Sequence, residues 1–192
     1  MNIRKIGNTV LQFAINRVIE ILGTSVFLIG ILLLIALITY SPNDPNFIFP
    51  ENTKIQNLLG FQGSYISDLF FQSIGIISYL VSITFIVTGF NIFKSKDLFL
   101  IIENIFFAIL YSFFGTLFFS FFYQDAFELY INGNGGFVGS YLGQSFFVDI
   151  IKYQTVLSYY FLMLLILGLF LISINFNPKK FWKFLKKVIS YV

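Results

Sequence analysis

The sequence contains no cysteine and no histidine. Disulfides, thiolate nucleophiles, Cys/His zinc sites and imidazole general bases are therefore excluded, because the groups they need do not exist. Charge is also scarce: 11% of the 192 residues are Asp, Glu, Lys or Arg, against about 25% in an ordinary soluble domain. No Gly-x-x-x-x-Gly-Lys-Ser/Thr run occurs, so a P-loop is absent. What the chain does have is apolar bulk, with 57% hydrophobic residues, 28 of them phenylalanine, and a mean hydropathy of +0.85. Such a composition belongs to a membrane protein, and it leaves no constellation of acid, base and metal ligand for an enzyme.

A helix needs about 20 mainly apolar residues to cross the hydrocarbon core. Four segments qualify: 21–40, 69–90, 98–122 and 153–174. The first ends at Ser41-Pro42-Asn43-Asp44-Pro45, where prolines and Asx-type turn formers stop a helix. Its apolar run exceeds the 7–15 residues of a secretory signal and lacks a nearby small-x-small site, so a retained anchor is expected. The fold class expected is an all-α membrane protein with a four-helix domain over 21–174, an N-terminal segment over 1–20 and a basic tail over 175–192. Ten of the twelve basic residues fall on one side of these spans: Arg4, Lys5, Arg17, Lys94, Lys96, Lys179, Lys180, Lys183, Lys186 and Lys187. Only Lys54 and Lys152 fall on the other. The positive-inside rule then puts both termini in the cytoplasm.

The chain also repeats itself. Gly60-Phe61-Gln62-Gly63-Ser64-Tyr65-Ile66 recurs 76 residues later as Gly136-Phe137-Val138-Gly139-Ser140-Tyr141-Leu142, and Phe70-Phe71 recurs as Phe146-Phe147. The same shift carries the first span onto the third. Two parallel helical-hairpin repeats with short interfacial helices are the expected architecture. Gly60, Gly63, Gly136 and Gly139 suit a tight turn or close backbone contact at the membrane surface. A phosphate cradle is the weaker reading, since no Lys-Ser or Lys-Thr follows.

Tyr40-Ser41-Pro42-Asn43-Asp44-Pro45, with Asn57-Leu58-Leu59-Gly60-Phe61-Gln62-Gly63-Ser64-Tyr65-Ile66-Ser67-Asp68-Leu69-Phe70 and Gly75, resembles the amino-terminal four-helix membrane region of the FtsK/SpoIIIE family of bacterial DNA translocases. The resemblance covers nearly the whole chain. It implies an anchor in the inner membrane at the division septum, contacts with other membrane division proteins, and a homo-oligomer. In that family a carboxy-terminal hexameric ATPase moves chromosomal DNA, and neither ATP hydrolysis nor translocation carries over to a chain without a P-loop. The implied product is the membrane anchor alone, separately encoded or truncated, with no cofactor.

Individual residues sharpen this reading. Lys179, Lys180, Lys183, Lys186 and Lys187 follow one face of a helix, with Phe181, Trp182, Phe184, Leu185, Val188 and Ile189 on the other. A helix of this kind lies along the lipid bilayer, each lysine contributing about 1 kcal/mol near an anionic surface, and Trp182 suits the interface. The lipid surface accounts for both faces, so no direct nucleic-acid binding is expected. Asp68, one residue before the second span, reads as a helix-start acid, with a polar contact to a partner or a proton carrier as the functional readings, and its repeat counterpart Gln144 cannot titrate. Glu103, near the start of the third span, is close enough to the interface to snorkel. The outer loops, 41–63 and 123–143, carry Asp44, Glu51, Asp125 and Glu128 and are long enough for contacts with other membrane proteins. Gly23, Gly30, Ser73, Gly75, Gly89, Ser112, Gly115 and Gly168 are small residues that let helices approach, most commonly within one bundle.

The function these residues support is an anchor and interaction module of the cell-division and chromosome-segregation apparatus, and not an enzyme. The rival is a small transporter or channel subunit with the two repeats as halves of a pathway. Against it stand the absence of buried charge pairs and mid-helix prolines and the expectation of unbroken spans.

Overall fold

The computed structural model describes residues 3–45, 54–124 and 132–189. Among the described residues eight α-helices follow one another: α1 (Ile3–Ile38), α2 (Gly60–Ile74), α3 (Ser78–Ser95), α4 (Phe99–Phe122), α5 (Gly136–Leu142), α6 (Phe146–Tyr153), α7 (Thr155–Ser173) and α8 (Pro178–Ile189). No strand occurs among the described residues. Four stretches among the described residues are long and apolar enough to cross a membrane: Asn8–Ile38, Gly60–Ser95, Phe99–Phe122 and Thr155–Ser173. The chain is a multi-pass membrane protein, and the third and fourth expected spans coincide with α4 and α7.

The other two expected spans fall within longer helical stretches. The first belongs to a 36-residue helix that begins at Ile3, because nothing between Ile3 and Ile38 breaks the backbone pattern. The second is not continuous over 69–90: α2 ends at Gly75, which has φ +63°, and a 3-10 turn at Gly75–Ile77 leads into α3. A left-handed residue ends the α-helical hydrogen-bonding ladder, and glycine adopts that conformation without steric cost.

Helix α1 packs chiefly on α3, and α4 on α7, with α3 also touching α4. The α1–α3 contact is close because glycines face each other across it. A Cβ added at Gly30 would lie 2.6 Å from the Ile86 backbone nitrogen, and one at Gly23 2.7 Å from that of Phe93. Gly89 meets the backbone of Phe27 and Gly23 from the other side. Without these glycines the two backbones could not approach, which is the usual role of small residues between membrane helices. Gly168 differs, with open space where a Cβ would project.

Hydrogen bonds sort the helix ends into two levels. Asn57 joins the end of α1 to the start of α2, and Asn134 does the same for α4 and α5. At the opposite level Lys96 pairs with Glu20 of α1 at 2.6 Å, while Asn104 of α4 donates to Asn175, just after α7, at 3.1 Å. Arg17, Lys94, Lys96 and the lysines of α8 therefore gather at one end of the bundle. Two apolar clusters fill the interior, one around Ile77, Tyr111, Leu117 and Phe118 and one around Leu33, Leu37 and Phe71.

Candidate functional site: the glycine elements and the buried polar chain

The first glycine element closes the end of α1. The last carbonyls of a helix have no intrahelical partners, and here the Asn57 carboxamide supplies them, donating to Ala36 O at 2.8 Å and Thr39 O at 3.2 Å. Asn57 is held by Asp44, whose carboxylate accepts from the backbone N–H groups of Gln56 and Asn57, both at 2.8 Å. Its side-chain oxygen accepts from Leu59 N at 3.0 Å. Gly60 then starts α2 with φ +65°, and a Cβ at Gly63 would overlap the Asn57 carboxamide. Asn57, Gly60 and Gly63 thus form one device: an asparagine that seals one helix, and two glycines that let the next begin against it. Asp44 is buried and fully engaged, so it is part of this fastening and no surface contact for a partner. Glu51, Asp125 and Glu128 lie outside the described residues.

Asp68 is corrected too. It is no helix-start acid, because α2 begins at Gly60 and Asp68 sits in its interior, buried. Its carboxylate accepts from the Tyr40 hydroxyl at 3.1 Å, tying the end of α1 to α2. Glu103 is exposed on α4.

The second element repeats part of this geometry. Gly136 starts α5 with φ +64°. Asn134 donates to the carbonyls of Tyr123 and Gln124 at the end of α4. A Cβ at Gly139 would lie 2.6 Å from Thr116 O. The element also does something its counterpart does not. Its backbone lies in the break of the second span, where Ile76 N donates to Asn134 O at 3.1 Å and a Cβ at Gly136 would lie 2.6 Å from Ser73 C. The N–H freed by the break is thereby satisfied by protein, as any backbone group at membrane depth must be.

Deeper in the bundle runs a chain of buried hydroxyl and carboxamide groups. Thr84 of α3 bonds Tyr111 of α4 at 2.9 Å and Ser173 of α7 at 3.1 Å. One turn along α3, Thr88 accepts from Asn104 at 2.8 Å, and Asn104 reaches on to Asn175. Three spans are stitched by neutral groups. Chemically the arrangement can hold helices in register through hydrogen bonds. At the surface, Lys179, Trp182, Lys183, Lys186 and Lys187 of α8 are all exposed, and the Lys180 side chain lies outside what is described.

With this geometry in view, comparison with known proteins is decisive. The family described as the 4TM region of DNA translocase FtsK/SpoIIIE matches residues 16–186. The chain belongs to that family. Within this FtsK/SpoIIIE 4TM region, similarity extends to curated relatives named DNA translocase FtsK. The protein from Rickettsia prowazekii is 28% identical over 82 residues, 41% of this chain and 11% of its own length. That from Azospirillum brasilense is 29% identical over 87 residues, 44% of this chain and 14% of its own. That from Rickettsia bellii is 30% identical over 69 residues, 36% of this chain and 9% of its own. The chain therefore spans about a tenth of the length of these translocases. No solved structure matches it.

Sequence reasoning found the glycines of the 4TM region but missed the groups they serve. Asn134, Thr84, Thr88, Asn104 and Tyr111 went unmarked, as did the Glu20–Lys96 pair. A signal existed for the threonines: Thr84 and Thr88 stand four apart in the second span, which places them on one helix face.

Proposed function

We propose that this chain is the membrane anchor and interaction module of a septal DNA-translocation system, with both ends of the four-span region cytoplasmic. The observation that carries the reading is the family match over residues 16–186, joined to an architecture in which the buried groups of Asn57, Thr84, Tyr111 and Asn104 fasten helices to one another. It acts by position and contact in cell division and chromosome segregation. A fluorescent protein fused after Val192 tests it, because that reporter matures poorly when exported through the general secretory route. The expected result is a bright band at mid-cell. Bright fluorescence spread evenly around the envelope would contradict the septal assignment, and a dark fusion would contradict the cytoplasmic terminus.

Self-association is the contact best supported by geometry. Helix α1 is about 54 Å long, against about 30 Å of hydrocarbon, and the Glu20–Lys96 pair marks where it leaves the bundle. Beyond and at that point Leu11, Ile15, Val18 and Leu22 are all exposed and spaced 4-3-4, the spacing of a coiled-coil seam. Because the chain has no native cysteine, Leu11→Cys or Val18→Cys should form an interchain disulfide on oxidation while Phe13→Cys, on the opposite face, should not. Equal cross-linking at all three positions would remove the seam.

The transporter reading gains one observation, the break at Gly75. A substrate path needs that break to open onto a cavity, and here it is filled by the backbone of Asn134 and Gly136.

A further inference from the structure

At the basic end of the bundle, the end of α3, the start of α4 and the turn between α7 and α8 enclose a cleft of ≈ 690 Å³. Its walls are of two kinds. Phe90, Leu100, Phe176 and Phe181 give it an apolar side, and Asn91, Lys94 and Asn175 a polar one. The polar groups have capacity to spare. Lys94 makes no ion pair among the described residues, whereas its neighbour Lys96 is neutralised by Glu20. The Asn91 carboxamide has no partner there either, and Asn175 uses its oxygen to accept from Asn104, leaving its N–H groups to donate elsewhere. The nearby acid Asp97 is occupied in accepting from Phe99 N at the start of α4. Glu103, the other acid on this end of α4, is not among the residues that form the cleft. Asn175 holds φ +50°, a left-handed turn between α7 and α8, and Phe181 of α8 joins the cleft wall.

A cation, unpaired carboxamide donors and an apolar wall at the level where a bundle meets the membrane surface match one ligand chemistry: a phosphate group attached to hydrocarbon. Basic pockets between membrane helices recognise acidic lipid headgroups in this way. We propose that the cleft binds the headgroup of an anionic phospholipid of the adjoining leaflet, with its phosphate against Lys94, Asn91 and Asn175 and its acyl chains along the phenylalanines. Such a site makes attachment depend on which lipid is present, beyond the diffuse attraction of the α8 lysines.

Trp182 is the only tryptophan in the chain and adjoins Phe181 in the cleft wall, so its fluorescence reports on the site. The full chain would be reconstituted into phosphatidylcholine vesicles containing a minor fraction of either brominated phosphatidylglycerol or brominated phosphatidylcholine. Brominated phosphatidylglycerol should quench Trp182 several-fold more strongly. Lys94→Gln should lower that excess about fivefold, the ratio expected for one lysine at an anionic surface. Asn91→Leu should lower it without changing net charge, and so should Asn175→Gly, which keeps the left-handed turn while deleting the carboxamide. Equal quenching by the two lipids would overturn the proposal. So would a preference that survives the Asn91→Leu and Asn175→Gly changes and fades only with added salt, since that is surface charge alone. Inorganic phosphate abolishing the excess at lipid-equivalent concentration would also overturn it, in favour of a free-anion site.

Discussion

At the residue scale, Gly60 and Gly136, which read alike in the sequence, and Gly168, a small residue of the fourth span, carry different burdens. Gly60 has a positive φ and nothing within 4 Å of where its Cβ would go, so Gly60→Ala costs only the left-handed backbone penalty, about 1–2 kcal/mol. Gly136 has the same backbone conformation but faces Ser73 and Gly75 across a backbone contact. Gly136→Ala adds overpacking of about 1–3 kcal/mol to the conformational term. Gly168→Ala, in a helix with open space beside it, should be neutral or slightly stabilising. Thermal denaturation of the three variants in one detergent should rank them Gly168→Ala, Gly60→Ala, Gly136→Ala in order of increasing damage. Equal loss at Gly60 and Gly136 would mean that the second element does not dock into the break. Both glycines were legible in the sequence from their repetition. The difference between them was not, because it depends on a carbonyl of Asn134 some sixty residues from Gly75, and nothing local marks that meeting.

At the element scale, the apolar runs betrayed α4 and α7 almost to the residue, since length and hydropathy alone decide whether a helix crosses hydrocarbon. The broken second span was hidden by the same logic. Ser73, Gly75 and Ser78 are apolar enough not to interrupt the hydropathy of 60–95, yet Gly75 takes a conformation that composition cannot reveal. The buried chain from Thr84 to Ser173 joins α3, α4 and α7, and hydrogen bonds between membrane helices contribute about 0.6 kcal/mol each. Thr84 makes two of them, to Tyr111 and Ser173, so the nearly isosteric Thr84→Val should cost about 1 kcal/mol, read from the midpoint of unfolding in mixed detergent. Tyr111→Phe should cost about half as much, because it removes one of the two. A double variant no worse than Thr84→Val alone would show the pair acting as a unit.

At the scale of the whole molecule, the asymmetry of charge and the hydrogen bonds at the helix ends tell one story. Asn57 and Asn134 close one end, while Glu20–Lys96 and Asn104–Asn175 close the other. The central claim is a four-span bundle with its basic end in the cytoplasm and its glycine elements outside. A chain without cysteine permits a direct test by single substitutions labelled with a membrane-impermeant maleimide. Leu58 and Phe137 are exposed beside the glycine elements, and Asp97 and Lys187 are exposed at the opposite end. Leu58→Cys and Phe137→Cys should label in intact cells, and Asp97→Cys and Lys187→Cys only after the membrane is permeabilised. Labelling of Asp97→Cys or Lys187→Cys in intact cells, or protection of Leu58→Cys and Phe137→Cys together, would contradict the account.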